Sequence, residues 1–86
     1  MTLPLEITWI AGNCPVQAEG TIDGKEFYFR GRGDRWSISV GDPITDGVTW
    51  DYSEEYRYSG WMSETEARRL IEESAGLYMN RNGRGW

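Results

Sequence analysis

The sequence predicts an α+β fold, an antiparallel sheet of about five strands with one C-terminal helix packed on one face. Short segments alternate apolar and polar residues, the pattern of strands with one dry and one wet face. One longer segment near the C-terminus spaces its apolar residues helically behind a capping signal. The 86 residues show no repeat and no linker, so we expect a single domain over residues 1–86.

The clearest alternation surrounds the pair Asp23-Gly24, which separates two strand-like segments. Asp-Gly suits the two positive-φ positions of a type I′ turn, whose twist matches that of the flanking strands. A second turn is expected over residues 31–34, because two glycines fall there. The residues expected to face inward after the first turn are Phe27, Phe29, Trp36, Ile38 and Val40.

Three further segments complete the predicted sheet. Residues 3–11 are expected to form a strand with Leu5, Ile7 and Trp9 on one face. Residues 16–22 form the strand that enters the Asp-Gly turn, and residues 48–52 form the fifth strand. Residues 53–60 are polar and rich in tyrosine, so we expect a loop there.

The helix is predicted to begin after Ser63, a good N-cap residue, with Glu66 completing a capping box. Its solvent side carries arginines and glutamates, and it should end by Asn80, leaving a flexible tail from about residue 80. The apolar stripe is expected to contain Ala67, Leu70, Ile71, Ser74 and Tyr78, with Leu77 alongside.

Composition argues against most catalytic chemistry. The chain has no histidine, which removes the commonest general base and metal ligand, and Cys14 is its single cysteine. Acidic residues near 42–51 do not have the spacing of a calcium loop. We therefore expect no enzyme activity, no cofactor and no metal. Without a disulfide, a signal peptide or an apolar run of about 20 residues, a cytoplasmic location without membrane contact is expected.

The acidity is concentrated in residues 42–66, where seven acidic side chains and one arginine give a net charge of −6, against −5 for the whole chain. Aromatic side chains anchor protein interfaces, and carboxylates attract basic partners. The segment therefore predicts a binding surface for a host protein with a basic surface, and in its sharper form a DNA mimic; the alternative is a solvated loop. The candidate partner-binding residues are Asp42, Asp46, Asp51, Glu54, Glu55, Tyr56, Tyr58, Trp61, Glu64 and Glu66.

A second set of residues supports an alternative function. Tyr28, Arg30 and Arg35 share the wet face of the central strands, and Arg32 follows in the adjoining turn. A tyrosine among arginines could stack on and neutralise a single strand of nucleic acid. The negative net charge favours an ordinary polar sheet face instead, so nucleic acid is the less expected partner. A phage structural or assembly protein is a third possibility; the chain is expected to be a monomer or a weak homodimer paired through an outer strand.

The segments 13–20, 27–33 and 36–38, with Gly60-Trp61-Met62 before the capped helix, resemble small uncharacterised proteins of phages and prophages. The size, the acidity and the lack of histidine also resemble the anti-CRISPR class of phage inhibitors. That resemblance implies binding to a CRISPR effector complex, in particular a type I surveillance complex, and a block on its access to target DNA. It assigns no role to any individual residue.

Overall fold

The computed structural model describes residues 4–12, 15–41 and 49–80. Its five strands form one antiparallel sheet in the order β1-β2-β3-β4-β5, so every strand pairs with its neighbours in sequence. This confirms the predicted α+β fold. Asp42, Asp46, Cys14 and the predicted flexible tail lie outside the described residues. The elements are β1 Leu5–Ala11, β2 Val16–Ile22, β3 Lys25–Arg32, β4 Arg35–Val40, β5 Trp50–Glu55, a 3₁₀ helix Ser59–Trp61 and α1 Glu64–Met79.

One face of the sheet packs against α1 and holds the core, and the other face, which we call the open face, points away from the helix. Phe29 and Ile38 on the sheet and Ile71 on the helix are fully buried in the same apolar cluster. The rings of Tyr78 and Trp50 form a T-shaped pair with their centroids 5.5 Å apart, which connects α1 to β5.

The two central hairpins have two-residue turns. Asp23 and Gly24 have φ values of 53° and 80°, which confirms the predicted type I′ geometry. The second turn is shorter than predicted, because β3 continues through Gly31 to Arg32 and only Gly33 and Asp34 lie between the strands. The prediction of a turn over residues 31–34 was wrong at its start.

The prediction that Trp9 shares a face of the sheet with Leu5 and Ile7 was also wrong. Ile7 pairs with Gly20 and Trp9 pairs with Glu19, so Thr8 is an extra residue in β1 that forms a bulge. Beyond the bulge the alternation is inverted, and Ile10 takes the inward position. Trp9 is left 40% exposed, and its indole Nε1 donates to Glu19 Oε1 over 3.2 Å.

β5 and the segment after it also differ from the prediction. The strand runs from Trp50 to Glu55, so residues 53–55 belong to the sheet rather than to a loop, and a 3₁₀ helix occupies part of the remainder. Val48, the predicted start, lies outside the described residues. The stacked rings of Trp50 and Tyr52 lie 5.9 Å apart on the helix side of the sheet, as the alternation predicts.

α1 begins as predicted, with the Ser63 hydroxyl accepting from the backbone N–H of Glu66 at 3.1 Å. Leu77 is 46% exposed, contrary to its predicted place beside the apolar stripe, whereas Ala75 and Met79 are buried. Among residues 4–12, 15–41 and 49–80, no helix combines the length and apolar character that a membrane span requires.

Candidate functional site: an aromatic turn and a charged sheet face

The structure divides the acidic residues among different surfaces. Glu54 and Glu55 are consecutive in β5 and therefore point to opposite faces of the sheet. Glu55 pairs with Arg35 on the open face, together with Asp51, whereas Glu54 pairs with the inward-facing Trp36 on the helix side. The acidic segment is therefore not one continuous patch in the described residues.

Several members of the predicted patch bind each other or neighbouring polar groups. On the open face, the Asp51 carboxylate accepts hydrogen bonds from Ser39 at 2.6 Å and from Thr49 at 2.9 Å. On the helix side, Glu54 accepts from the Tyr52 hydroxyl, and this bond raises the pKa of Tyr52 above its ordinary value. These contacts hold the carboxylates of Asp51 and Glu54 in place, and both residues remain exposed to solvent.

Glu66 is the most strongly engaged carboxylate. Arg69 Nε lies 2.5 Å from Glu66 Oε1, and the Tyr56 hydroxyl donates to Glu66 Oε2 at 2.8 Å. The hydrogen bonds from Arg69 and then from Tyr56 lower the pKa of Glu66 from 4.5 to about 2. The same bond to Glu66 raises the pKa of the Tyr56 hydroxyl. Arg69 also reaches Glu73 of the same helix at 2.7 Å. The hydrogen bond between Tyr56 and Glu66 therefore connects the residue after β5 to α1 within the fold.

Tyr58 and Trp61 are the most exposed large aromatic residues of the described chain, at 62% and 65%. Tyr58 directly precedes the short 3₁₀ helix and Trp61 is its last residue, and we call residues 57–61 the aromatic turn. Tyr58 has φ 60° and ψ 38°, the left-handed conformation that a side chain with a Cβ adopts only at a cost in free energy. The backbone at this position suits glycine, yet the residue there is a tyrosine.

Hydrogen bonds to the β3–β4 hairpin hold the aromatic turn in place. Ser59 is fully buried, and its hydroxyl lies 2.7 Å from the Arg35 carbonyl oxygen and 3.0 Å from that of Gly33. The Ser59 N–H donates to the Gly33 carbonyl at 2.8 Å, and the Tyr58 N–H donates to Asp34 Oδ1 at 3.3 Å. Gly31 makes room for this approach, because a Cβ there would stand 2.8 Å from the Ser59 carbonyl oxygen.

Charged groups surround the aromatic turn. The Arg57 guanidinium carbon lies 5.2 Å from the centroid of the Tyr58 ring, within the range of a cation–π contact. A shallow depression lined by Asp34, Arg35, Glu55, Tyr56 and Arg57 adjoins the turn. Glu64, exposed in the first turn of α1, follows Trp61 by three residues. The turn therefore offers two apolar rings with both signs of charge beside them.

The structure brings the second predicted set together on the open face. Arg32 and Arg35 lie directly opposite each other, and Arg30 lies two residues before Arg32 on the same strand. Tyr28 occupies the next row, where it pairs with Glu19 and donates its hydroxyl to Gln17 Oε1 at 2.6 Å. The open face is thus basic near the β3–β4 turn and acidic at its other end. The open-face carboxylates of that other end are Glu6, Glu19, Glu26 and Asp51.

Sequence reasoning missed the residues that position these groups. Ser59 and Asp34 anchor the aromatic turn through contacts 24 residues apart in sequence, and no local pattern marks such a contact. Glu19 could have been assigned to the acidic end of the open face, because it alternates with the inward residues of β2.

Within the described part of the chain, no group of three or more cysteine, aspartate or glutamate side chains is arranged to hold a metal ion. Comparisons with protein-family models, curated proteins and solved structures find no match to this chain.

Proposed function

We propose that this protein is a non-enzymatic inhibitor that binds another protein through the aromatic turn. The observation that carries the proposal is Tyr58, which keeps a 62% exposed ring on a backbone that suits glycine. Strained residues persist where the surrounding structure holds them in place, and they are common at binding sites. The Tyr58 ring gains little packing inside the molecule, so we infer that it serves a contact outside it.

The properties of the turn suit a docking surface. Tyrosine and tryptophan are enriched among the residues that dominate binding energy, because they bury a large area at a low cost in side-chain entropy. The anchored turn holds both residues on a rigid support, which reduces the entropy lost on binding. Glu55 beside the adjoining depression and Glu64 after Trp61 favour a partner whose surface is basic around an apolar recess.

The resemblance to phage inhibitors names the partner to test first, a type I CRISPR surveillance complex. Binding there would prevent the complex from reaching its target DNA. The binding surface in this function is smaller than the predicted acidic surface. Of the predicted carboxylates, Glu55 and Glu64 attract the basic partner. Glu66 and Tyr56 stabilise the fold, while Tyr58 and Trp61 provide the contact area.

The test measures binding of the purified protein to a purified type I surveillance complex, together with target-DNA binding by that complex. Trp61→Ala should weaken binding by at least about tenfold, the effect of losing one interface anchor. Trp9→Ala is the matched control, because it removes another exposed tryptophan at a distance from the turn. Equal affinities of both variants and the wild type would refute the role of the turn, and no binding by the wild type would refute this partner.

Tyr58→Gly tests the role of the strained tyrosine, and two charge reversals test the role of Glu55. Tyr58→Gly removes the strain, so we expect it to stabilise the fold by about 1 kcal/mol while it weakens binding. Glu55→Lys should slow association in a salt-dependent manner, whereas Glu54→Lys, on the opposite face, should not. A Tyr58→Gly variant that binds as well as the wild type would contradict the proposal.

A further inference from the structure

Three arginines form a cluster at the basic end of the open face, and we call Arg30, Arg32 and Arg35 the arginine triangle. Arg32 and Arg35 are directly opposite each other across the second hairpin, with Cα atoms about 5.5 Å apart in such a pair. Arg30 lies two residues from Arg32, about 7 Å along the strand on the same face. The three guanidinium groups therefore start from neighbouring positions on one surface.

The described residues neutralise this cluster only in part. Arg35 donates to Ser53 at 3.2 Å and reaches Glu55 at 3.8 Å, a long contact to a side chain that is 88% exposed. The side chains of Arg30 and Arg32 form no hydrogen bond or ion pair with any described residue, and Arg30 Nε is buried without an acceptor. Like charges placed directly opposite each other destabilise an antiparallel pair. The triangle therefore combines unfavourable repulsion with unused hydrogen-bond donors.

We propose that the arginine triangle binds the phosphate group of a phosphate monoester. Arginine presents planar, paired donors that match phosphate oxygens, and its charge does not depend on pH in the physiological range. A dianionic group between the three side chains would offset the Arg32–Arg35 repulsion. Ser37 lies opposite Arg30 on the same face, so its hydroxyl would be a further polar contact for the bound phosphate.

The rest of the open face determines the size of the ligand. Tyr28 lies one row away from Arg30 and offers a ring that is 36% exposed, suited to an aromatic group attached to the phosphate. Glu19 and Asp51 lie in the same row as Tyr28, one on each side of it, and would repel further phosphates. This arrangement fits a single phosphate with a small organic group, such as a nucleoside monophosphate, better than an extended strand of nucleic acid.

The experiment is a calorimetric titration of the protein with inorganic phosphate, with a nucleoside 5′-monophosphate, and with single-stranded oligonucleotides of increasing length. Backbone amide shifts from nuclear magnetic resonance locate the site. We expect saturable one-to-one binding of the monophosphate, with shifts centred on β3 and β4. Inorganic phosphate should bind the same residues, more weakly if the Tyr28 ring contributes.

Arg30→Gln and Arg32→Gln should each reduce the affinity by at least about tenfold, because each removes a charge-assisted hydrogen bond. Arg68→Gln is the matched control, since Arg68 is an exposed arginine on the outer side of α1. Arg32 is exposed, so its variant tests the site even if Arg30→Gln fails to fold. The absence of saturable binding, an equal loss in Arg68→Gln, or an affinity that rises with oligonucleotide length would each overturn the proposal.

Discussion

At the scale of single residues, Glu66 makes the stability of the fold depend on pH. Its carboxylate is held by Arg69 and Tyr56, and its pKa in the folded protein is about 2. Because the pKa is depressed on folding, the ionised group stabilises the fold fully above its unfolded value of about 4.5. That contribution is lost as the pH falls from about 4.5 towards 2.

We predict that Glu66→Gln lowers the urea midpoint of unfolding at pH 7 and that the difference from the wild type shrinks as the pH falls towards 2. The glutamine keeps a hydrogen-bonding oxygen but cannot form the ion pair with Arg69. Unfolding curves at several pH values measure this difference. Glu72→Gln, on the solvent side of α1, serves as the control and should show a smaller and flatter difference. A difference between Glu66→Gln and wild type that stays constant down to low pH would contradict the assignment.

At the scale of elements, the bulge in β1 makes a specific prediction. Thr8 is the residue without a partner, and the pairings on either side of it would be continuous if it were absent. Deleting Thr8 keeps Leu5, Ile7 and Ile10 on the core side and Trp9 on the open face. We therefore expect the deletion to preserve the fold and to change the free energy of unfolding by no more than about 1 kcal/mol, the scale of a single backbone hydrogen bond.

Deleting Ser37 provides the contrast. It would invert one half of β4 and turn either Trp36 or Ile38 and Val40 out of the core, so that variant should not fold. Urea unfolding followed by circular dichroism distinguishes the two deletions. An unfolded Thr8 deletion would show that the bulge itself is required for the sheet.

The aromatic turn makes a second prediction at this scale. Ser59→Ala removes a buried hydroxyl that lies within hydrogen-bond distance of the carbonyl oxygens of Gly33 and Arg35. We expect a loss of about 1 kcal/mol in unfolding free energy, because the Arg35 carbonyl oxygen loses the hydroxyl as a donor while the Gly33 carbonyl oxygen keeps the Ser59 N–H. Ser37→Ala, an exposed serine on β4, should change stability by less than about 0.5 kcal/mol. Equal effects would mean that the turn is held by its backbone contacts alone.

At the scale of the whole molecule, sequence reasoning succeeds where the determining signals are local. The type I′ turn follows from Asp23-Gly24, and the start of α1 follows from Ser63, because each signal acts within a few residues. Sequence reasoning fails at Trp9, because the inserted residue Thr8 does not differ in type from its neighbours. Leu77 was misplaced because the buried side of α1 extends towards Ala75 and Met79, which are buried, and not towards Leu77.

The candidate site was predictable only in part. Composition identifies an acidic and aromatic segment, but charge counted along a chain ignores the faces to which a strand assigns its residues. Glu54 and Glu55 show this directly, since adjacent residues of β5 point to opposite faces. The exposure of Tyr58 and Trp61 depends on the anchoring of the turn by Ser59 and Asp34, which is a long-range contact.

The contrast between two tryptophans has a practical consequence. Trp36 is 2% exposed in the core, whereas Trp61 is 65% exposed on the aromatic turn. Indole emission shifts with the polarity of its surroundings, so the two rings report on different events. Emission from the core indole changes when the chain denatures, and emission from the surface indole changes when a partner covers it. Because the chain has five tryptophans, the part of the emission that is absent from Trp61→Ala identifies the surface indole, and it lets docking be followed separately from unfolding without an attached dye.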